Sequence, residues 1–111
     1  MSRSPQLLLQ DILESCERIE AYVSGYDLDR FSADSKTQDA VIRQFEIIGD
    51  AVKKLPAAVT EKAPEVQWRQ IAGFRDILAH AYFAVELPIV WEAATVKVNE
   101  LQAACRRLLD L

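Results

Sequence analysis

Apolar residues return at every third or fourth position almost from end to end of this chain, and only three glycines and four prolines punctuate them. That spacing keeps side chains on one face of a 3.6-residue helix, whereas a strand needs alternation at every second position. No strand pattern competes. Ser4-Pro5 reads as an N-cap followed by proline at the first helical position, and Leu9, Ile12, Cys16, Ile19 and Val23 then form a stripe that stops before Gly25. Tyr26 to Ser35 is polar and reads as a connection with a helical turn at Leu28 to Phe31. Val41, Phe45, Ile48, Val52 and Leu55 mark a second helix ended by Pro56. A short bridge to Pro64, with a turn in Ala57 to Glu61, leads to a third helix from Pro64 or Glu65 to about His80, lined by Trp68, Ile71, Phe74, Leu78 and Ala81. Pro88 opens the last helix, whose stripe runs through Val90 or Trp91, Ala94, Val98, Leu101, Cys105 and Leu108. The expected fold is all-α, an up-down four-helix bundle with one or two extra helical turns.

With 111 residues, half of them hydrophobic, one domain spanning 1–111 is expected. No run approaches the roughly 20 apolar residues of a membrane helix, and the chain opens without the apolar stretch of a signal peptide, so a soluble cytoplasmic protein is expected. Cys16 and Cys105 stand far apart and read as small core residues, with no metal or cofactor implied. A net charge of −4 excludes a broad basic face for nucleic acid, so any such contact must be local. Arg43, Arg69 and Arg75 are the candidates, and each also reads as a solvated charge. Arg43 and Glu46 are spaced to pair with each other or to line a groove. Gly49 inside a helix costs about 1 kcal/mol against alanine, which suggests a close helix contact. Ile42, Ile47, Phe83 and some helix-one leucines exceed one stripe per helix, which suggests a dimer face or a wider core.

The chemistry concentrates in Arg75-Asp76-Ile77-Leu78-Ala79-His80-Ala81-Tyr82, which holds the only histidine. Imidazole titrates near neutrality and guanidinium offers a fork to phosphate oxygens, a pairing that suits phosphodiester chemistry. On an ideal helix Arg75 and His80 lie roughly 140° apart, whereas Asp76 and His80 share a face. Arg75 and His80 can converge if the helix ends near His80, or in a groove where two copies of this helix meet. Metal-independent RNA cleavage wants both a base and an acid, and a chain with one histidine supplies two only as a dimer. The plainer readings are a histidine at the helix C-terminus facing the dipole, with Arg75 and Asp76 as surface charges and Tyr82 as packing.

Arg75, Asp76, His80 and Tyr82 fill the motif of the HEPN ribonucleases and, through His-x-Tyr, of their HepT branch. Trp68-Arg69-Gln70-Ile71-Ala72-Gly73-Phe74, Tyr82-Phe83, Val90-Trp91-Glu92, Thr37 to Arg43 and Glu46-Ile47-Ile48-Gly49-Asp50 also resemble HepT sequences, so the likeness covers most of the chain. Where the family often has Gly-Glu, this chain has Gly49-Asp50. The resemblance implies a HEPN-like bundle and a homodimeric, metal-independent endoribonuclease toxin acting on RNA, with tRNA a candidate substrate. His80 would transfer protons, Arg75 would stabilise the phosphoryl oxygens, and Asp76 would orient and charge the imidazole. It also implies an MntA-type nucleotidyltransferase antitoxin that silences the toxin by AMPylating Tyr82. The alternatives are a non-catalytic binding subunit of such a nucleotidyltransferase, or a helical interaction module without nucleotide chemistry.

Overall fold

The first three helix starts are set by residues whose side chains take up free backbone N–H groups. In the computed structural model, which describes residues 3–81 and 85–110, the Ser4 hydroxyl accepts from the Leu7 N–H at 3.2 Å and α1 (Pro5–Val23) follows with proline in its first turn. Gly25 then adopts φ 78°, the left-handed conformation that lets the chain turn away. Asp27 caps the short α2 (Leu28–Ser32), and Asp34 caps α3 (Ser35–Lys54) by accepting from Thr37. Pro56 ends α3 and begins the single turn α4 (Ala57–Thr60).

The third long helix begins later than the sequence suggests. Ala63-Pro64-Glu65-Val66 closes as a turn, Val66 N–H donating to the Ala63 carbonyl at 3.2 Å, so Pro64 occupies a turn position rather than a helix start. Ala63 and Val66 are buried there, and the Trp68 indole N–H donates to the same carbonyl at 3.0 Å. Hence α5 spans Trp68–His80. The last column is continuous over 87–108: α6 (Leu87–Glu92), a π-helical segment (Ala93–Lys97) and α7 (Val98–Leu108). The wider π turn buries both Ala93 and Ala94. Val90 lies fully in the core and Trp91 packs on Phe31 with ring centroids 5.3 Å apart. Both readings of that stripe are therefore used.

The described residues are helical without strands, and the four long columns with two short extra helices form the expected all-α bundle. Every apolar position assigned to the first two stripes is buried. Helix α1 packs against α3 and α7, while α5 rests chiefly on α3. Cys16 and Cys105 are free and buried; burial pushes both thiols up, Cys105 to about 12, so they are protonated packing groups. No helix among the described residues is long and apolar enough to cross a membrane.

The α2–α3 corner is held by Asp34, whose carboxylate accepts from the Tyr26 and Thr37 hydroxyls, both at 2.7 Å. These bonds hold its pKa down at about 2, with the Tyr26 bond the largest cause. A depressed folded-state pKa contributes stability above the ordinary carboxyl value near 4, lost as pH falls through about 2. Urea unfolding of Asp34→Asn should therefore show lower stability at neutral pH and a flatter decline between about pH 4 and 2 than the parent chain.

Candidate active site

Helix α5 reaches α3 at Gly49. A Cβ built there would overlap the Cβ and Cγ of Arg75 and stand 3.4 Å from its Cα, so α5 lies in the recess that the missing side chain leaves. One turn towards the N-terminus, Phe45 and Phe74 meet edge to face with centroids 5.4 Å apart. This contact sets the position of everything that α5 presents on that flank.

Charges of alternating sign follow. The Arg75 side chain is only 23% exposed; its Nε lies 2.8 Å from Asp50 Oδ1 and its terminal Nη1 lies 3.4 Å from Asp76 Oδ1. The Arg75 Nε–H has no well-aligned acceptor, so the Asp50 contact acts as a charge pair and not as a directed hydrogen bond. The shorter acid of Gly49-Asp50 thus still reaches the arginine. Asp76 Oδ1 also accepts from Lys53 Nζ, and this bond is the main reason that its carboxyl lies below the ordinary range. Asp50, Arg75, Asp76 and Lys53 form a chain of two acids and two bases across α3 and α5.

His80 occupies the last turn of α5 and is exposed. Its Nδ1 lies 3.1 Å from the backbone carbonyl of Asp76. A carbonyl only accepts, so this contact makes Nδ1 the donor, and in the neutral ring Nε2 then carries the lone pair, with no hydrogen-bond partner among the described residues. Asp76 thus meets the imidazole through its backbone carbonyl, while its carboxylate contacts Lys53 and Arg75. Arg75 turns towards α3 and His80 towards solvent, since α5 stays helical through His80.

Among the described residues Arg43, Glu46 and Arg69 form no ion pair with this cluster. Arg43 and Glu46 face each other at 3.9 Å with Arg43 largely exposed, and Arg69 is exposed in the first turn of α5. Tyr82 lies outside the described residues, as does Phe83. Lys53 is the residue that sequence reasoning missed. Its signal was present: it follows Gly49 by four positions on the same helix face, so a lysine there borders whatever the glycine admits.

On its other flank α5 leaves an apolar groove of about 780 Å³, floored by Phe45, Phe74 and Ile71 and closed opposite by Ala93, Val96 and Leu101. Ile77, Ile89 and Val96 are 48, 52 and 60% exposed. Exposed apolar surface among the described residues therefore falls mostly here, with Leu7 of α1, one of the helix-one leucines, exposed elsewhere, while Ile42 packs against the core. Glu92, Lys97 and Glu100 also line the groove, a setting that repels RNA phosphates more than the Arg75 flank does.

A ribonuclease HepT-like family pattern matches residues 12–108, and the chain belongs to that family. It is 38% identical over 108 residues to a Caldanaerobacter subterraneus protein named as a candidate RNase, covering 97% of this chain and 96% of that one. A Thermococcus cleftensis protein named as a candidate ribonuclease HepT is 39% identical over 108 residues, 97% of this chain and 98% of its own. A Methanocaldococcus jannaschii protein named as a gamma-glutamylcyclotransferase and candidate RNase is 37% identical over 110 residues, which are 99% of this chain and 50% of that one. No solved structure matches the chain with significance.

Gly49→Ala gains about 1 kcal/mol of helix propensity but forces α5 away from α3, at a cost of about 1–3 kcal/mol. Its urea midpoint is expected below that of the parent chain by an amount that grows with the shift of α5. A raised midpoint would show that the helices do not approach so closely.

Proposed function

We propose that this chain is a metal-independent endoribonuclease, the toxin of a toxin–antitoxin pair, working as a homodimer. The observation that carries the reading is His80: exposed, held through Nδ1 by the Asp76 carbonyl, with Nε2 free to exchange a proton. Arg75, five residues earlier on the same helix, supplies a cation for the phosphoryl oxygens, where preorganised charge is usually the largest catalytic contribution. Membership of the HepT-like ribonuclease family supports the same chemistry.

Cleavage by this route removes the 2′-OH proton and gives a proton to the departing 5′-oxygen, leaving a 2′,3′-cyclic phosphate. One imidazole per chain does half of this, and a two-fold dimer brings the second. The exposed apolar groove supports that assembly, because Ile77 lies one turn before His80 and a copy seated on this flank comes close to the imidazole. Tyr82, two residues beyond His80, is the proposed acceptor for AMP from a partner MntA-type nucleotidyltransferase; the added phosphate and adenine would block RNA by charge and bulk.

The test is cleavage of total tRNA by the purified chain in chelator, resolved on a denaturing gel with analysis of the product ends. His80→Ala should abolish cleavage, and Arg75→Lys, which lacks the fork, should lose about 10²–10³-fold. Products bearing 5′-phosphate, or a strict need for Mg²⁺, would overturn the mechanism. A folded but inactive chain would favour the binding-subunit role.

Ile77→Asp tests the assembly separately. It should yield monomers by light scattering and abolish cleavage, while His80→Ala stays dimeric. A dimeric Ile77→Asp protein would remove the groove from the interface.

A further inference from the structure

Asp76 and His80 are four positions apart on a regular helix, a spacing at which a carboxylate and an imidazole ordinarily meet. They do not pair through side chains here. His80 Nδ1 takes the Asp76 backbone carbonyl at 3.1 Å, while Asp76 Oδ1 is drawn to the α3 side, where Lys53 Nζ and Arg75 Nη1 both contact it. Arg75 is in turn held by Asp50. Of these contacts only the one from Lys53 crosses between helices to Asp76.

We infer that Lys53 is a positioning residue for His80: by holding the Asp76 carboxylate against α3, it keeps that carboxylate from pairing with the imidazole one turn along α5. The charged groups tied to Asp76 are Arg75 on its own helix and, on α3, Lys53 directly and Asp50 through Arg75. With Lys53 present, two acids are matched by two bases, and among the described residues the Asp76 carboxylate is committed to them and not to the imidazole. Without it, Asp76 has one weak partner left in Arg75, at 3.4 Å, and can turn to His80. A carboxylate on the imidazole favours the imidazolium. A residue that must accept a proton is less available when held in that form.

The mechanistic consequence rests on the ribonuclease reading, but the measurement does not. His80 is the only histidine, so its ring protons give one assignable titration curve by NMR in the intact chain without RNA. Four proteins form a cycle: the parent, Lys53→Met, Asp76→Asn and the double variant. Lys53→Met should move the midpoint up by about half a pH unit or more when Asp76 is present, and by much less when position 76 is asparagine. Lys53→Arg, which keeps the charge, should stay near the parent.

An equal upward shift in both backgrounds would mean that Lys53 acts only as a nearby positive charge, and would overturn the inference. An unchanged midpoint in Lys53→Met would overturn it as well. In an active enzyme, the acidic limb of kcat/KM for Lys53→Met should follow the titration midpoint. A chain that cleaves no RNA yet shows the coupled titration would refute the ribonuclease proposal alone.

Discussion

The close approach of α5 to α3 at Gly49 is the contact on which the candidate site depends. Arg75 lies over a position that has no side chain, and that proximity lets Asp50 meet its Nε and Lys53 meet the neighbouring Asp76. Any Cβ at position 49 would have to push the Arg75 backbone outward. The helix-propensity cost of a glycine in mid-helix is thus offset by the fit of two helices, and the fit brings acids and bases from different parts of the chain into one cluster.

Helix α5 is also held on one side more than the other. Of its residues only Leu78 is fully buried, whereas α1 and α3 bury full stripes. Its free flank borders the groove opposite the π-helical segment, where the wider turn carries Val96 outward and both Ala93 and Ala94 inward. One helix therefore has two unlike flanks, one charged against α3 and one apolar towards the groove, with His80 at its end. This division is why the proposed RNA chemistry and the proposed subunit contact can share a helix without competing for residues.

Charge matching accounts for how an acidic chain presents the proposed site. Among the described residues the cluster holds Lys53 and Arg75 against Asp50 and Asp76. Its two acids and two bases cancel, so RNA contact is a matter of geometry at a few groups, in keeping with the overall charge of −4. The same matching fixes which way Asp76 faces, and so which atom of that residue orients His80.

Much of the bundle was legible in the order of residues. Stripes such as Leu9, Ile12, Cys16, Ile19 and Val23 depend only on helical periodicity, and caps such as Asp34 only on neighbours along the chain. Gly49 announced a close contact without naming its partner. Pro64 misled, because proline suits both a helix start and a turn, and the buried Ala63 and Val66 with the Trp68 indole decided for the turn. The sequence by itself determined the helices, their buried faces and the set of residues able to do chemistry, because these follow from local spacing and side-chain type. Only the tertiary structure decided that Lys53 takes the Asp76 carboxylate, that a backbone carbonyl meets His80, and that Ile77, Ile89 and Val96 share one groove. Those outcomes depend on which helices meet and at what distance, and a lysine 23 positions away reaches the Asp76 carboxylate only once the chain is packed.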